Sequence, residues 1–273
     1  MTDEQLLKLL FQPLSNRPSA GTMPAKLALS TSLTRLVQRA GGTAINLNRE
    51  DATNFATASV EIWHRAVHSL LISIALKNDS PLWAAIAGYY ASHYTFRAAA
   101  HLLGFFSLHG AKCTIEINGQ TGPYFGAVVK HRKREHDWYR DKVSNSKLFG
   151  SDAFFRAQPK AGLDDREHRS LANYGDHLSR YPSISPIGLI EIKDRMRILE
   201  QYPAVVPPEL SDIRFPDLDG VWVLAYQRIS RFRKLVDEKV GKNRFWEGQR
   251  DPSWAKQFTN FDMADVTGMG TTN

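Results

Sequence analysis

Pro81 to Gly104 reads PLWAAIAGYYASHYTFRAAAHLLG, and this stretch decides the fold. Its small residues (Ala84, Ala85, Ala87, Gly88, Ala91, Ser92, Ala98, Ala99, Ala100) alternate with Trp83, Tyr89, Tyr90, Tyr94 and Phe96. Alanine is the best helix former, proline suits a first turn and glycine suits a C-terminal cap. Small side chains let two backbones approach while large ones fill the remaining gaps. The stretch therefore predicts the central helix of a bundle. His93, Arg97 and His101 follow at i, i+4 and i+8, a polar stripe on one face. Such a stripe is either a buried hydrogen-bonding seam or the lining of a site.

On the N-terminal side, apolar residues from Phe55 to Ile74 recur with helical spacing and predict a helix from Asp51, as its N-cap, to about Leu76. Asn78 to Ser80 is a turn, and two long helices joined by a short turn pack antiparallel. Further out, Thr2 or Asp3 caps a short helix carrying Leu6, Leu7, Leu10 and Leu14. Pro24 to Ala40 forms a second helix stopped by Gly41-Gly42, and residues 43–48 suit a short strand. On the C-terminal side, Cys113, Ile115 and Ile117 alternate before Asn118-Gly119, a strong hairpin turn signal, with Tyr124 to Val129 as the returning strand. Asp164-Asp165 open another helix, residues 202–219 hold four prolines and read as a loop, and Gly220 to Val240 is a last long helix.

The expected fold is mainly α: a helical bundle on helices near 51–76, 81–104, 164–180 and 220–240, with a small β-hairpin insertion near 113–129. Residues 1–50 form a helical extension, 51–240 the bundle with an insertion at about 105–162, and 241–273 a tail whose aromatics pack on the body.

The chain has 273 residues, 42% of them hydrophobic, as expected of a globular protein. Thirty-five Lys and Arg against 28 Asp and Glu give a net charge of +7, which favours a polyanionic partner. One cysteine, Cys113, excludes an intramolecular disulfide and a cysteine-based zinc site. No apolar run approaches the ~20 residues of a membrane span, and the acidic start MTDEQ lacks the basic region of a secretory signal. A soluble, cytoplasmic protein is expected, with no membrane association.

Familiar catalytic signatures are absent: no glycine-rich phosphate loop, nucleophile elbow or HExxH. His64 and His68 have a spacing that places two imidazoles on one metal, but no third ligand sits at a telling distance, so no metal or cofactor is expected. Lys130 to Lys142, KHRKREHDWYRDK, interleaves six Lys or Arg with Trp138 and Tyr139. Cations neutralise phosphates and aromatics stack bases, so Lys130, Arg132, Lys133, Arg134 and His136 are candidate nucleic-acid contacts. The three acidic residues in the segment fit a solvated helix face equally well. Arg169, Asn173 and His177 recur every four residues within REHRSLANYGDH. Arginine stabilises a pentavalent phosphate and histidine moves protons, which is what metal-free RNA cleavage requires. An arginine–aspartate network with Asp164, Asp165 and Asp176 accounts for the same residues structurally.

GYYASHYTFRAAAHLLG, followed later by RSLANYGD, resembles the helices of the HEPN superfamily, and the order of elements from Asp51 to Val240 is similar. The resemblance implies a compact α-helical bundle, often dimeric. Active members are metal-independent ribonucleases of toxin and phage-defence systems that use an arginine and a histidine with four to six residues between them, while others are inactive binding modules. Here Arg169 and His177 have seven residues between them, a step that turns the histidine about 80° from the arginine on ideal geometry. The resemblance thus implies RNA as partner, a homodimer with a possible cognate protein partner, and Arg169, Asn173, His177, His93 and Arg97 as catalytic candidates. The competing expectation is a non-catalytic helical module for protein interaction or dimerisation.

Overall fold

The computed structural model describes residues 1–16, 24–41, 43–76, 80–109, 111–117, 124–130, 134–156 and 218–250. Within them the chain is mainly helical with one small antiparallel sheet. In chain order the elements are α1 (Asp3–Phe11), α2 (Ala25–Ala40), β1 (Ala44–Asn46), α3 (Arg49–Ala75), α4 (Pro81–Leu102), β2 (Phe105–Leu108), β3 (Cys113–Ile117), β4 (Phe125–Lys130), α5 (Glu135–Ser144), α6 (Ala153–Arg156), α7 (Leu218–Val240) and α8 (Arg244–Gln249). The expected helices 51–76, 81–104 and 220–240 are α3, α4 and α7. The expected helix 164–180 lies outside the described residues.

The chain divides into two compact units, one formed by Met1–Trp63, Phe96–Ser151 and Lys234–Arg250, the other by the rest. In the first, α1 starts with a reciprocal capping box between Thr2 and Gln5, and it buries Leu6, Leu7, Leu10 and Phe11. Phe11 meets Phe245 of α8 at 6.4 Å, and Trp246 meets Trp63 at 5.5 Å. The first tail aromatics therefore pack into this unit's core, while Trp254, Phe258 and Phe261 lie outside the described residues. The N-terminus of α2 has no side-chain cap of its own. The Glu61 carboxylate of α3 supplies one, accepting from the N–H groups of Ala25 at 2.6 Å and Lys26 at 3.1 Å. One sequence expectation is corrected here: Asp51 is not the N-cap of α3. Asn48 accepts from the Asp51 N–H at 2.7 Å while the Asp51 carboxylate accepts from the Asn48 N–H at 3.2 Å, so the cap is Asn48, three residues earlier, and Asp51 closes the box.

The sheet has four strands in the order β1-β4-β3-β2, so the expected hairpin (β3–β4) is its centre rather than the whole of it. β1 is the short strand expected within residues 43–48, and β2 is an element that the sequence reading lacked. α4 ends at Leu102, and Gly104 turns the chain directly into β2 with φ 78°. A Cβ on Gly104 would stand 2.7 Å from the Ile117 Cβ, so that position requires glycine twice over. In the same unit the Ser59 hydroxyl of α3 donates to the Ala98 carbonyl of α4 at 2.7 Å, across a face of small residues.

The second unit holds the end of α3, the start of α4, α6 and most of α7. Here the small residues do what their placement predicts. A Cβ on Gly88 would stand 2.7 Å from Val221 Cγ1 and 3.0 Å from Ser73 Oγ, so α4 lies close against both α3 and α7. Ser73 ties the three helices together, donating to the Ala84 carbonyl at 2.5 Å and accepting from the Trp222 indole N–H at 2.7 Å.

Candidate nucleic-acid interface

The site is best built from the outer edge of β2, the one that β3 does not pair. Ile117 N–H donates to the Gly104 carbonyl, and Phe106 faces Ile115 two residues on. By the alternation of an antiparallel ladder, Phe105 and Ser107 turn their backbone groups away from β3. An uncovered edge of this kind invites pairing with another chain. Two side chains close it: the Ser107 N–H donates to Tyr139 Oη at 3.0 Å, and His101 Nδ1 donates to the Phe105 carbonyl at 2.8 Å. His101 is fully buried, its ring stacked 4.9 Å from Phe106 and set edgewise to Tyr139 at 5.7 Å. Burial, reinforced by the Arg97 guanidinium, pushes its pKa down to about 3, so the ring is neutral with the proton on Nδ1. Burial likewise raises the Tyr139 phenol above its ordinary value.

Arg97 stands beside this pair, 5.4 Å from the centre of the Tyr139 ring. Its Nη2 lies 3.1 Å from Oε1 of Glu135, the first residue of α5, and both side chains are only 10% exposed. The other carboxylate oxygen, Oε2, contacts Nε2 of His109, whose side chain is 73% exposed. A buried cation, a nearly buried carboxylate and a solvent-facing imidazole thus stand in line.

The surroundings are basic. β2 ends at Leu108 opposite Cys113, and Cys113 also pairs with Lys130, the last residue of β4. His109, Lys112, Lys130 and Arg134 therefore gather at one end of the sheet, and all four are exposed. Lys112 closes the turn that His109 opens (Lys112 N–H to His109 carbonyl, 3.1 Å), with an unusual φ of 47°. A cleft of about 740 Å³ is lined by Phe105 and Trp138, by Lys130, Lys142 and Lys147, and by the carboxylates of Asp3, Glu116 and Asp141, so its charges balance. Lys142 lies 4.8 Å over the Phe105 ring and pairs with Glu116 at 2.8 Å.

Of the candidate nucleic-acid contacts, Lys130 and Arg134 are exposed at this end of the sheet and His136 is half-buried. Arg132 and Lys133 lie outside the described residues, as do Arg169, Asn173 and His177. The polar stripe of α4 is divided between the two units. Arg97 and His101 belong to the first unit as just described. His93 belongs to the second and is buried among Tyr89, Tyr90 and Tyr94, at ring distances of 6.3, 6.3 and 5.8 Å. His64 is half-buried and His68 exposed. Among the described residues no group of three or more His, Cys, Asp or Glu is placed to hold a metal ion, and no helix is long and apolar enough to cross a membrane.

Sequence reasoning missed His109, Glu135 and Tyr139. Glu135 and Tyr139 were counted as part of a charged segment, and His109 follows a strand too short for periodicity to announce. The available signal was local: the largely apolar Phe105–Leu108 after a helix-capping glycine, followed by His109-Gly110, with loops the usual seat of function. No family model matches the chain, and no curated protein or solved structure matches it either.

Proposed function

We propose that the chain is an RNA-binding protein that acts as a HEPN-like, metal-independent endoribonuclease of the toxin or phage-defence kind, working in the cytoplasm. What supports the binding half of this reading is one observation: Lys112, Lys130, Arg134 and His109 are exposed together at one end of the sheet. Clustered cations release condensed counterions from a polyanion, and aromatic walls take bases by stacking. Phe105 and Trp138 line a cleft with Lys130, though Asp3, Glu116 and Asp141 line it too, so the exposed cations at the end of the sheet carry the reading. The cleavage half rests on the resemblance, with Arg169, Asn173 and His177 as its residues and a homodimer as its assembly. Arg97, engaged by Glu135, is better suited to holding this site together than to reaching a phosphate.

The test is RNA binding followed by fluorescence anisotropy across a salt series, with cleavage of total RNA assayed in parallel in EDTA. Affinity is expected to fall steeply with salt. Lys130→Glu and Arg134→Glu are each expected to weaken binding and to flatten the salt slope by about 0.7–0.9 for every phosphate left unneutralised. Binding that ignores salt, or no binding to RNA at all, overturns the reading in favour of a non-catalytic interaction module. Light scattering on the purified chain then reads its self-association.

A further inference from the structure

Resting on the RNA-binding half of the reading above, and departing from it on which histidine moves the proton, we propose that His109, rather than His177, is the proton-transfer residue of a metal-free phosphodiester-cleaving site at the end of the sheet, oriented by Glu135, which Arg97 holds in place. The geometry has the parts that such a residue needs. Nε2 of His109 faces the Glu135 carboxylate, so Nε2 carries the proton and donates it there. That leaves Nδ1 as a proton acceptor on a side chain that is 73% exposed. A carboxylate behind an imidazole fixes the tautomer and ring orientation and stabilises the imidazolium when it forms. Glu135 can do so because its own position is set: its side chain is 10% exposed, and its other oxygen lies 3.1 Å from Arg97 Nη2. A surface histidine in an ordinary solvated pair has no such backing.

The chemistry balances without a metal or co-reactant. Nδ1 takes the proton of an RNA 2′-hydroxyl as that oxygen bonds to the adjacent phosphorus. The imidazolium then returns the proton to the 5′-oxygen as the P–O5′ bond breaks. The products are a 2′,3′-cyclic phosphate and a free 5′-hydroxyl. Lys112, which closes the His109 turn, and Arg134, which precedes Glu135, supply positive charge where the phosphorane develops its negative charge. His109 is the catalytic residue; Glu135 and Arg97 are positioning residues.

The experiment uses the full chain and total RNA in EDTA, comparing wild type, His109→Ala and Glu135→Gln, with RNA affinity and circular dichroism measured on each. His109→Ala alters an exposed side chain and is expected to keep the fold and to cost far more in cleavage rate, at least about a hundredfold, than in RNA affinity. Glu135→Gln is expected to lower kcat and leave KM unchanged, a split that a purely structural role does not produce. His177→Ala serves as the competing arm. Wild-type cleavage rates in His109→Ala overturn the proposal, more so if His177→Ala is inactive. A wild type that binds RNA but never cleaves it also overturns the proposal, while leaving the binding reading intact. Absence of RNA binding removes both.

Discussion

His101 donates from Nδ1 to the Phe105 carbonyl and sits wholly out of water against Phe106 and Tyr139, and it is this burial that demands a neutral ring. Its pKa is pushed down to about 3 from an ordinary 6.5, first by burial and then by the Arg97 charge. Between those two pH values the unfolded chain binds a proton there that the folded chain refuses. The stabilisation is therefore present in full above pH 6.5 and is lost progressively as pH falls toward 3. Each pH unit in that window costs up to about 1.4 kcal/mol from this residue alone. Urea unfolding at a series of pH values is expected to show the slope, and His101→Gln is expected to flatten it. An unchanged slope in that variant assigns the acid lability elsewhere. The same residue marks a limit of sequence reading. The i, i+4, i+8 spacing placed His93, Arg97 and His101 on a helix face, but periodicity does not say what packs against the face. The partners of His101 and Arg97 come from β2 and from α5, the latter far along the chain.

At the scale of elements, β2 and α5 form one device. The strand is an edge, and α5 protects it by supplying Tyr139, whose Oη accepts the outward Ser107 N–H. Tyr139→Phe keeps the ring and removes the acceptor, leaving a buried N–H unsatisfied. The expected cost is about 1–3 kcal/mol in urea unfolding, with dimers or larger species appearing as the edge opens. A stability equal to wild type says that another group already satisfies the N–H. The long helices were legible because hydrophobic periodicity over twenty or so residues is a strong signal, and the β3–β4 hairpin because Asn118-Gly119 names its turn. β2 was not legible: four residues, Phe105–Leu108, are too few to show a period, and what makes them a strand is pairing with β3. The cap of α3 was misplaced by three residues, since an Asn and an Asp three apart share one box, and either taken alone passes for the cap.

For the molecule as a whole, the question is whether its charge of +7 binds RNA diffusely or through one place. A diffuse field depends on net charge alone, so any two reversals from Lys or Arg to Glu should act alike. A local interface depends on which cations touch phosphate. Lys130 and Arg134 stand with His109 and Lys112 at the end of the sheet, whereas Lys234 and Lys242 lie at the exposed end of α7 and just beyond it. The double variants Lys130→Glu/Arg134→Glu and Lys234→Glu/Lys242→Glu change net charge equally. The local reading expects the first to lower RNA affinity by a hundredfold or more at ~50 mM salt, on the order of two phosphates left unneutralised and the repulsion that replaces the attraction. It expects the second, whose lysines are not among those gathered at the end of the sheet, to stay within about threefold of wild type, the general field being screened by salt. Equal losses in the two variants assign the binding to the whole field, and with it the gathering of cations around His109 loses its functional meaning.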